Sequence, residues 1–362
     1  MLTRRLFIRC ALGTSLPLSK ALKANAVERG LRFIYKTSRN TKAFAEFGQD
    51  YLWCFYTISA SAADPKLKQL AWEMGQRCAR RWRKQNPRLP SKFTPGSISY
   101  WVFADYSANL LGIRGEEIKE RLQQAVAQFQ PEDFLAFDPA REPVPHNLPK
   151  LCSKDKFRNQ RGATACAKCG TALKFEDPYD LLCDAIITTY SGERYGVILG
   201  AKLADVMQHI PELRPYRSPH GKEDDGFSSI AYAVTHIVYA LNDYGMYRLR
   251  PEWLPDEYAF LRNHLLGNIA VDDAETLGEF MDTLKSFGLN ESDELIRKGE
   301  EFLMAHQNPD GSWGDPFEKD VYIRYHSTWT VVGGLMDFAL KTAGVSIPEA
   351  LKSAYFQSRG SK

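Results

Sequence analysis

The stretch GFSSIAYAVTHIVYALND, residues 226–243, followed by PDEYAFLRNHLLGN, residues 255–268, decides the fold. The first segment has the apolar spacing of a buried helix, interrupted by aromatics and small polar residues. His236, Tyr239 and Asp243 fall at i, i+3 and i+7 on one face of it. The second segment reads as an ordinary amphipathic surface helix. Working outward, the same pair recurs six times. Segments of the first kind fall at 42–58, 98–112, 178–195, 226–243, 273–287 and 323–341, and segments of the second kind follow at 66–85, 115–129, 199–209, 255–268, 291–306 and 347–357. Asp64-Pro65, Ile113-Arg114-Gly115, Asn290-Glu291-Ser292-Asp293 and Ser346-Ile347-Pro348-Glu349 place Pro, Gly or a polar cap between partners. No sustained period-two alternation bounded by hairpin turns occurs, so the fold class is all-α. Six helical hairpins in series, none able to bury its apolar face alone, predict a closed (α/α)6 toroid whose first-kind helices line a central cavity.

Composition agrees with a globular chain: 362 residues, 44% hydrophobic and 25% charged, exclude a disordered polymer and a multi-span membrane protein. The first residues stand apart. Thr3-Arg4-Arg5-Leu6-Phe7-Ile8-Arg9 precedes a mildly apolar run from Cys10 to Leu22, and Ala24-Asn25-Ala26 supplies the small residues of a cleavage site. This resembles a twin-arginine export signal over residues 1–26. The resemblance implies export machinery as a partner, a periplasmic or secreted location, and a domain running from residue 27 to 362. The run is too short and polar to be a transmembrane segment. Of 47 basic residues against 44 acidic, five lie in those first 26, so the remaining body is close to neutral and offers no footprint for nucleic acid. Arg80-Arg81-Trp82-Arg83-Lys84 reads as the solvated end of a helix.

Between the second and third hairpins an insert at 131–177 is longer than an ordinary connection and carries Cys152, Cys166 and Cys169. A second, acidic loop runs from Gly221 to Gly226. Cys166-Ala167-Lys168-Cys169-Gly170 has the C-x-x-C-G spacing that presents two thiolates to one zinc ion. Cys152 is the candidate third ligand, with His146 or Cys183 as fourth. A second C-x-x-C is missing, and six cysteines after residue 26 suit disulfides in an oxidising compartment equally well.

On the first-kind helices polar groups recur where a packed core has no use for them: Asp105 and Tyr106; Asp184, Tyr190 and Arg194; His236 and Tyr239; Asp273, Glu275 and Glu279; His326. Carboxylates, histidines and tyrosines pointed into one dry cavity are what proton transfer requires. The candidate catalytic residues are therefore Asp184, His236, Tyr239, His326, Asp105 and Tyr190. Arg194, Tyr106, Trp101 and Trp329 are the candidates for holding substrate.

Two motifs carry a family resemblance. Lys298-Gly299-Glu300-Glu301-Phe302-Leu303 followed by Gln307-Asn308-Pro309-Asp310-Gly311-Ser312-Trp313 is similar to the QW repeat of the terpenoid cyclase and protein prenyltransferase superfamily. Tyr325-His326-Ser327-Thr328-Trp329 through Gly333-Gly334-Leu335 resembles an inner helix of prenyltransferase β-subunits. The resemblance covers about residues 290–342 and implies an α/α toroid in which Gln307 and Trp313 stabilise neighbouring hairpins. It does not carry the families' chemistry over. The prenyltransferase Asp-x-Cys is absent from 273–287, and no Asp-x-Asp-Asp acid occurs.

Export then points to a carbohydrate or similar oligomeric substrate, cleaved by hydrolysis or elimination. A hydrolase needs two carboxylates about 5 to 10 Å apart, and Asp184 with Asp105 or Asp273 is the expected pair. In a lyase Arg194 would neutralise a uronate. The alternatives are an isoprenoid-handling protein lined by aromatic residues and a non-catalytic scaffold whose bore is filled.

Overall fold

The structure, a computed structural model, describes residues 20–115, 117–217 and 225–342. Those residues form helices and no strand, with only isolated bridges between extended pieces. In chain order the helices are α1 (Lys20–Ser38), α2 (Thr41–Ser61), α3 (Pro65–Gln85), α4 (Pro95–Leu110), α5 (Ile118–Val126), α6 (Pro131–Leu135), α7 (Pro178–Tyr195), α8 (Leu203–Met207), α9 (Ile210–Leu213), α10 (Asp225–Asn242), α11 (Pro255–Ala270), α12 (Ala274–Ser286), α13 (Glu294–Ala305) and α14 (Val321–Leu335). No helix among the described residues is long and apolar enough to cross a membrane.

Helix starts follow from local chemistry. Asn40, Asp64, Asp177, Asp293 and Asp320 each accept a hydrogen bond from an otherwise orphaned N–H of the first turn. Thr94 and Ser97 cap each other reciprocally. Pro65, Pro95, Pro178 and Pro255 open their helices, where a missing N–H costs nothing.

All six first-kind segments are helical, at α2, α4, α7, α10, α12 and α14, and each of these packs on the next: α2 on α4, α4 on α7, α7 on α10, α10 on α12, α12 on α14, and α14 back on α2. The second-kind helices α3, α5, α8, α11 and α13 lie against their partners. Two details differ from expectation. The 199–209 segment contains only the short helix α8, and a second short helix, α9, follows it at Ile210–Leu213, where Pro211 has no N–H with which to continue α8. The last first-kind helix ends at Leu335 rather than 341, because the chain turns extended at Met336 (ψ 155°) and pairs elsewhere: Ala339 N with Ser61 O (2.8 Å) and Lys341 N with Met246 O (2.8 Å). The segment 347–357 and most of the Gly221–Gly226 loop lie outside the described residues.

Residues 1–19 of the expected export signal are likewise outside them. Lys20 to Ala26 form the first turns of α1, so a domain starting at residue 27 would start inside this helix. Lys23 is buried, with Nζ 3.0 Å from Glu300 and 3.1 Å from Asp337. Lys285, also buried, donates to the same Glu300 oxygen (3.0 Å) and to Gly334 O (2.6 Å), tying α12, α13 and α14 together. Gln307 Nε2 donates to Ala26 O (2.8 Å) and Gly311 O (3.0 Å), and the buried Trp313 donates to Leu303 O (2.7 Å). Both side chains of the QW-like motif thus bind helix ends and loops together. The close approach of α12 and α14 needs glycine: a Cβ on Gly278 would stand 2.6 Å from the Thr330 carbonyl carbon, and one on Gly334 would stand 2.7 Å from Gly278 O.

Candidate active site

Because Gly278 and Gly334 bring α12 against α14, the facing stripes of three helices meet. Tyr232, His236 and Tyr239 on α10 are spaced i, i+4 and i+7, and so are Glu275, Glu279 and Asp282 on α12. His326, Trp329, Thr330 and Gly333 are the α14 stripe. A cavity of about 70 Å³ is lined by His236 and Tyr239 of α10, Glu279 and Asp282 of α12 and the α14 stripe, together with Thr57, Ile58 and Ser61 of α2 and Tyr244 and Phe338; Tyr232 and Glu275 stand outside that lining. That is room for a few waters or one small reacting group, against the roughly 300–1,000 Å³ of a pocket that swallows a whole small-molecule ligand.

The ionisable groups divide into two states. Burial disfavours charge on Glu275, but hydrogen bonds from His326 (Nδ1 to Oε1, 3.0 Å), Ser327 (2.5 Å) and Tyr232 outweigh it and hold the carboxyl at about 2. Burial likewise opposes the His326 charge, yet Glu275 raises its affinity for a proton. This is an ion pair. Glu279, 3% exposed, behaves oppositely: burial dominates over His326 and over the hydroxyl of Thr235 (2.8 Å) and pushes it up to about 8. Burial also lifts Asp282 to about 7, against the opposing influence of Lys285 and Tyr239. Asp282 Oδ1 is closed off from solvent with no hydrogen-bond partner. His236 is driven by burial down to about 4. Its Nδ1 lies 2.9 Å from Tyr232 O, so the neutral ring carries its proton there and leaves Nε2 as an acceptor. The cavity therefore groups two carboxyls that burial holds toward the protonated form, Glu279 and Asp282, with an imidazole that burial holds neutral, beside the hydrogen-bonded Glu275–His326 pair.

The structure brings His236, Tyr239, His326 and Trp329 together and leaves the other sequence candidates elsewhere. Asp184 is exposed on α7, one residue past the buried Cys183. Asp105, 1% exposed, is bound by Arg83, by the Tyr195 hydroxyl and by Asn109 (2.9 Å), a fully satisfied joint between α3, α4 and α7. Asp184 and Asp105 thus stand in unlike settings, one exposed and one held by three donors, and Asp273 is occupied as the α12 cap, accepting from Thr276 N (3.0 Å). Tyr190 donates to Asp243 (2.5 Å), which pairs with Arg194 (2.7 Å), a separate group at the C-terminal ends of α7 and α10. Trp101 packs edge-on to Trp82 with ring centroids 5.1 Å apart, and Tyr106 packs on Trp53 at 5.9 Å. Glu279 and Asp282 are the groups sequence reasoning did not commit to. Their i, i+3 spacing in step with Glu275, on a helix carrying Gly278, was the available signal.

A larger groove, about 560 Å³, runs between α1, the α2–α3 turn and the end of α14. Within its lining Lys23 pairs with Asp337 (3.1 Å), and Asp64 is the cap that accepts from Lys66 N (2.8 Å). In the 136–177 segment, Cys152, Asp155, Cys166 and Cys169 present ligand atoms all within 4.8 Å of one another, a group that could hold a metal ion. Asp155 takes the place expected of His146, which is exposed outside the group. Compared with family models, curated proteins and solved structures, the chain matches none.

Proposed function

We propose that the chain is an exported acid–base enzyme of α/α-toroid architecture that acts, by hydrolysis or elimination, on a carbohydrate or similar oligomeric substrate. The circuit of contacts from α2 through α4, α7, α10, α12 and α14 back to α2 supports the toroid reading. The export reading rests on residues 3–9, and a structural zinc ion at the cysteine group is the matching cofactor proposal. What carries the catalytic reading is one observation: one turn apart on α12, environment sets Glu275, hydrogen-bonded to the cavity-lining His326, at about 2 and Glu279, in the lining itself, at about 8, the kind of separation by which an enzyme runs acid and base chemistry together. Glu279 and Asp282 would donate protons, His236 Nε2 would accept one, and the Glu275–His326 pair would fix the field around them. The small volume means that only the reacting end of a substrate enters. Tyr239, Tyr244, Trp329 and Phe338 share the lining with carboxylates and histidines, which suits a polar reacting group better than an isoprenoid tail.

The test is a panel of neutral and uronate-bearing oligosaccharides, read by reducing-end release and by formation of unsaturated product. His236→Ala and Glu279→Gln should each lower turnover by about 100-fold or more while the unfolding midpoint stays close to that of the parent. Activity that survives in both variants would overturn the assignment.

A further inference from the structure

Two turns of the 136–177 segment repeat each other atom for atom in their backbone bonding. In Cys166-Ala167-Lys168-Cys169-Gly170, Gly170 N donates to Cys166 O (2.8 Å) and Cys166 N donates to Thr171 O (2.8 Å). In Cys152-Ser153-Lys154-Asp155-Lys156, Lys156 N donates to Cys152 O (2.8 Å) and Cys152 N donates to Phe157 O (3.1 Å). Both fifth residues are left-handed, Gly170 at φ +72° and Lys156 at φ +57°. Glycine adopts that conformation freely, whereas lysine holds it only where its surroundings require it. The second turn therefore has the backbone of a metal-binding knuckle with two letters changed, Asp155 standing where Cys169 stands in the first and Lys156 where Gly170 stands.

The side chains converge accordingly. Cys152 Sγ lies 3.5 Å from Cys169 Sγ, and Cys166 Sγ lies 3.7 and 3.8 Å from the two Asp155 oxygens. A tetrahedral ion with metal–sulfur bonds of about 2.3 Å holds its sulfur ligands roughly 3.8 Å apart, so these separations suit one shared ion. Cys152 and Cys166 are buried, at 0% and 3% exposed. Lys154, Lys156 and Lys168 within the turns offset the negative charge of the ligands. We infer that this segment binds one zinc-class divalent ion on two equivalent turns, through the thiolates of Cys152, Cys166 and Cys169 and the carboxylate of Asp155. Three thiolates select a borderline-soft ion over calcium or magnesium. Joined at their centre, the two turns would stabilise a segment that has little helix or sheet of its own.

The inference rests on reading the group as a metal site, and the experiment separates the two claims. The full chain, purified from zinc-supplemented medium, should carry about one zinc ion per molecule by elemental analysis. After chelator stripping and cobalt loading, Asp155→Cys should raise thiolate-to-cobalt charge-transfer absorbance by roughly one third, from three sulfurs to four. Asp155→Asn should speed zinc release to a competing chelator by about 10-fold or more, and Asp155→Cys should slow it. A metal-free chain with a Cys152–Cys169 disulfide by mass spectrometry would overturn the metal reading itself. Zinc bound by the parent, with spectrum and release rate indifferent to both substitutions, would overturn only the place given to Asp155.

Discussion

Asp105 and Glu279 are both carboxylates closed off from water, 1% and 3% exposed, yet their surroundings are opposite. Asp105 has Arg83 as its counter-ion on Oδ1 and hydrogen bonds from Tyr195 and Asn109 on Oδ2, so both oxygens are engaged. Glu279 receives one hydroxyl, from Thr235, and burial keeps its proton on it. A saturated carboxylate pins helices together. An under-partnered one in a cavity remains available to exchange a proton with whatever enters. Both stand among aromatic side chains and read alike in sequence, so partner count rather than residue type separates structural from reactive acids here.

The largest effect expected on this contrast is at the saturated end. Arg83→Met strands the Asp105 charge and should cost about 3 to 5 kcal/mol in denaturant unfolding, because a buried charge loses its partner. A cost under about 1 kcal/mol would place the joint in the same class as the cavity. Glu279→Gln should be far milder, within about 1 kcal/mol near neutral pH, since the parent side chain is already uncharged there.

The pH dependence of stability sharpens the same point. Glu279 binds its proton more tightly folded than unfolded, so its contribution is complete below its ordinary value of 4.5 and is lost as pH rises through about 8. His236 and Glu275 act in the other direction. The neutral imidazole contributes above 6.5 and loses that contribution as pH falls through about 4, and the Glu275 contribution fades from 4.5 down to about 2. Stability measured from acid to mildly alkaline pH should therefore fall on both sides, and Glu279→Gln should flatten only the alkaline limb. A variant whose alkaline limb matches that of the parent would show that Glu279 is already ionised.

Much of the helical frame was legible because its punctuation is chemical. Asp64-Pro65 and Asp177-Pro178 mark starts that side-chain caps and a fixed φ enforce locally, and α3 and α7 begin there. The first turns of α1 were hidden because Lys20, Lys23 and the small residues up to Ala26 read as an export signal. Only the distant Glu300 and Asp337 reveal that Lys23 has a buried partner. His236 and His326 were legible as polar groups on apolar helices. Asp184 misled because a single residue step turns a helix by about 100°, and it is Cys183 that faces inward. Glu279 was legible as a polar group on an inner helix but not as a candidate acid, and Asp282 was passed over because a carboxylate on an amphipathic pattern usually marks the solvated face; the glycine contact with α14 turns that face inward. The Asp155 turn was missed because a search for cysteine spacing sees letters, whereas backbone bonding sees the turn.

Infrared spectroscopy of the full chain at about pH 6, comparing the parent with Glu279→Gln and Asp282→Asn, tests the central claim without knowledge of the substrate. The account predicts two protonated-carboxyl C=O bands, one removed by each substitution, titrating away near pH 8 for Glu279 and near pH 7 for Asp282. Spectra in which neither substitution removes such a band would mean that both side chains are ionised, and the cavity would then have no acid to offer.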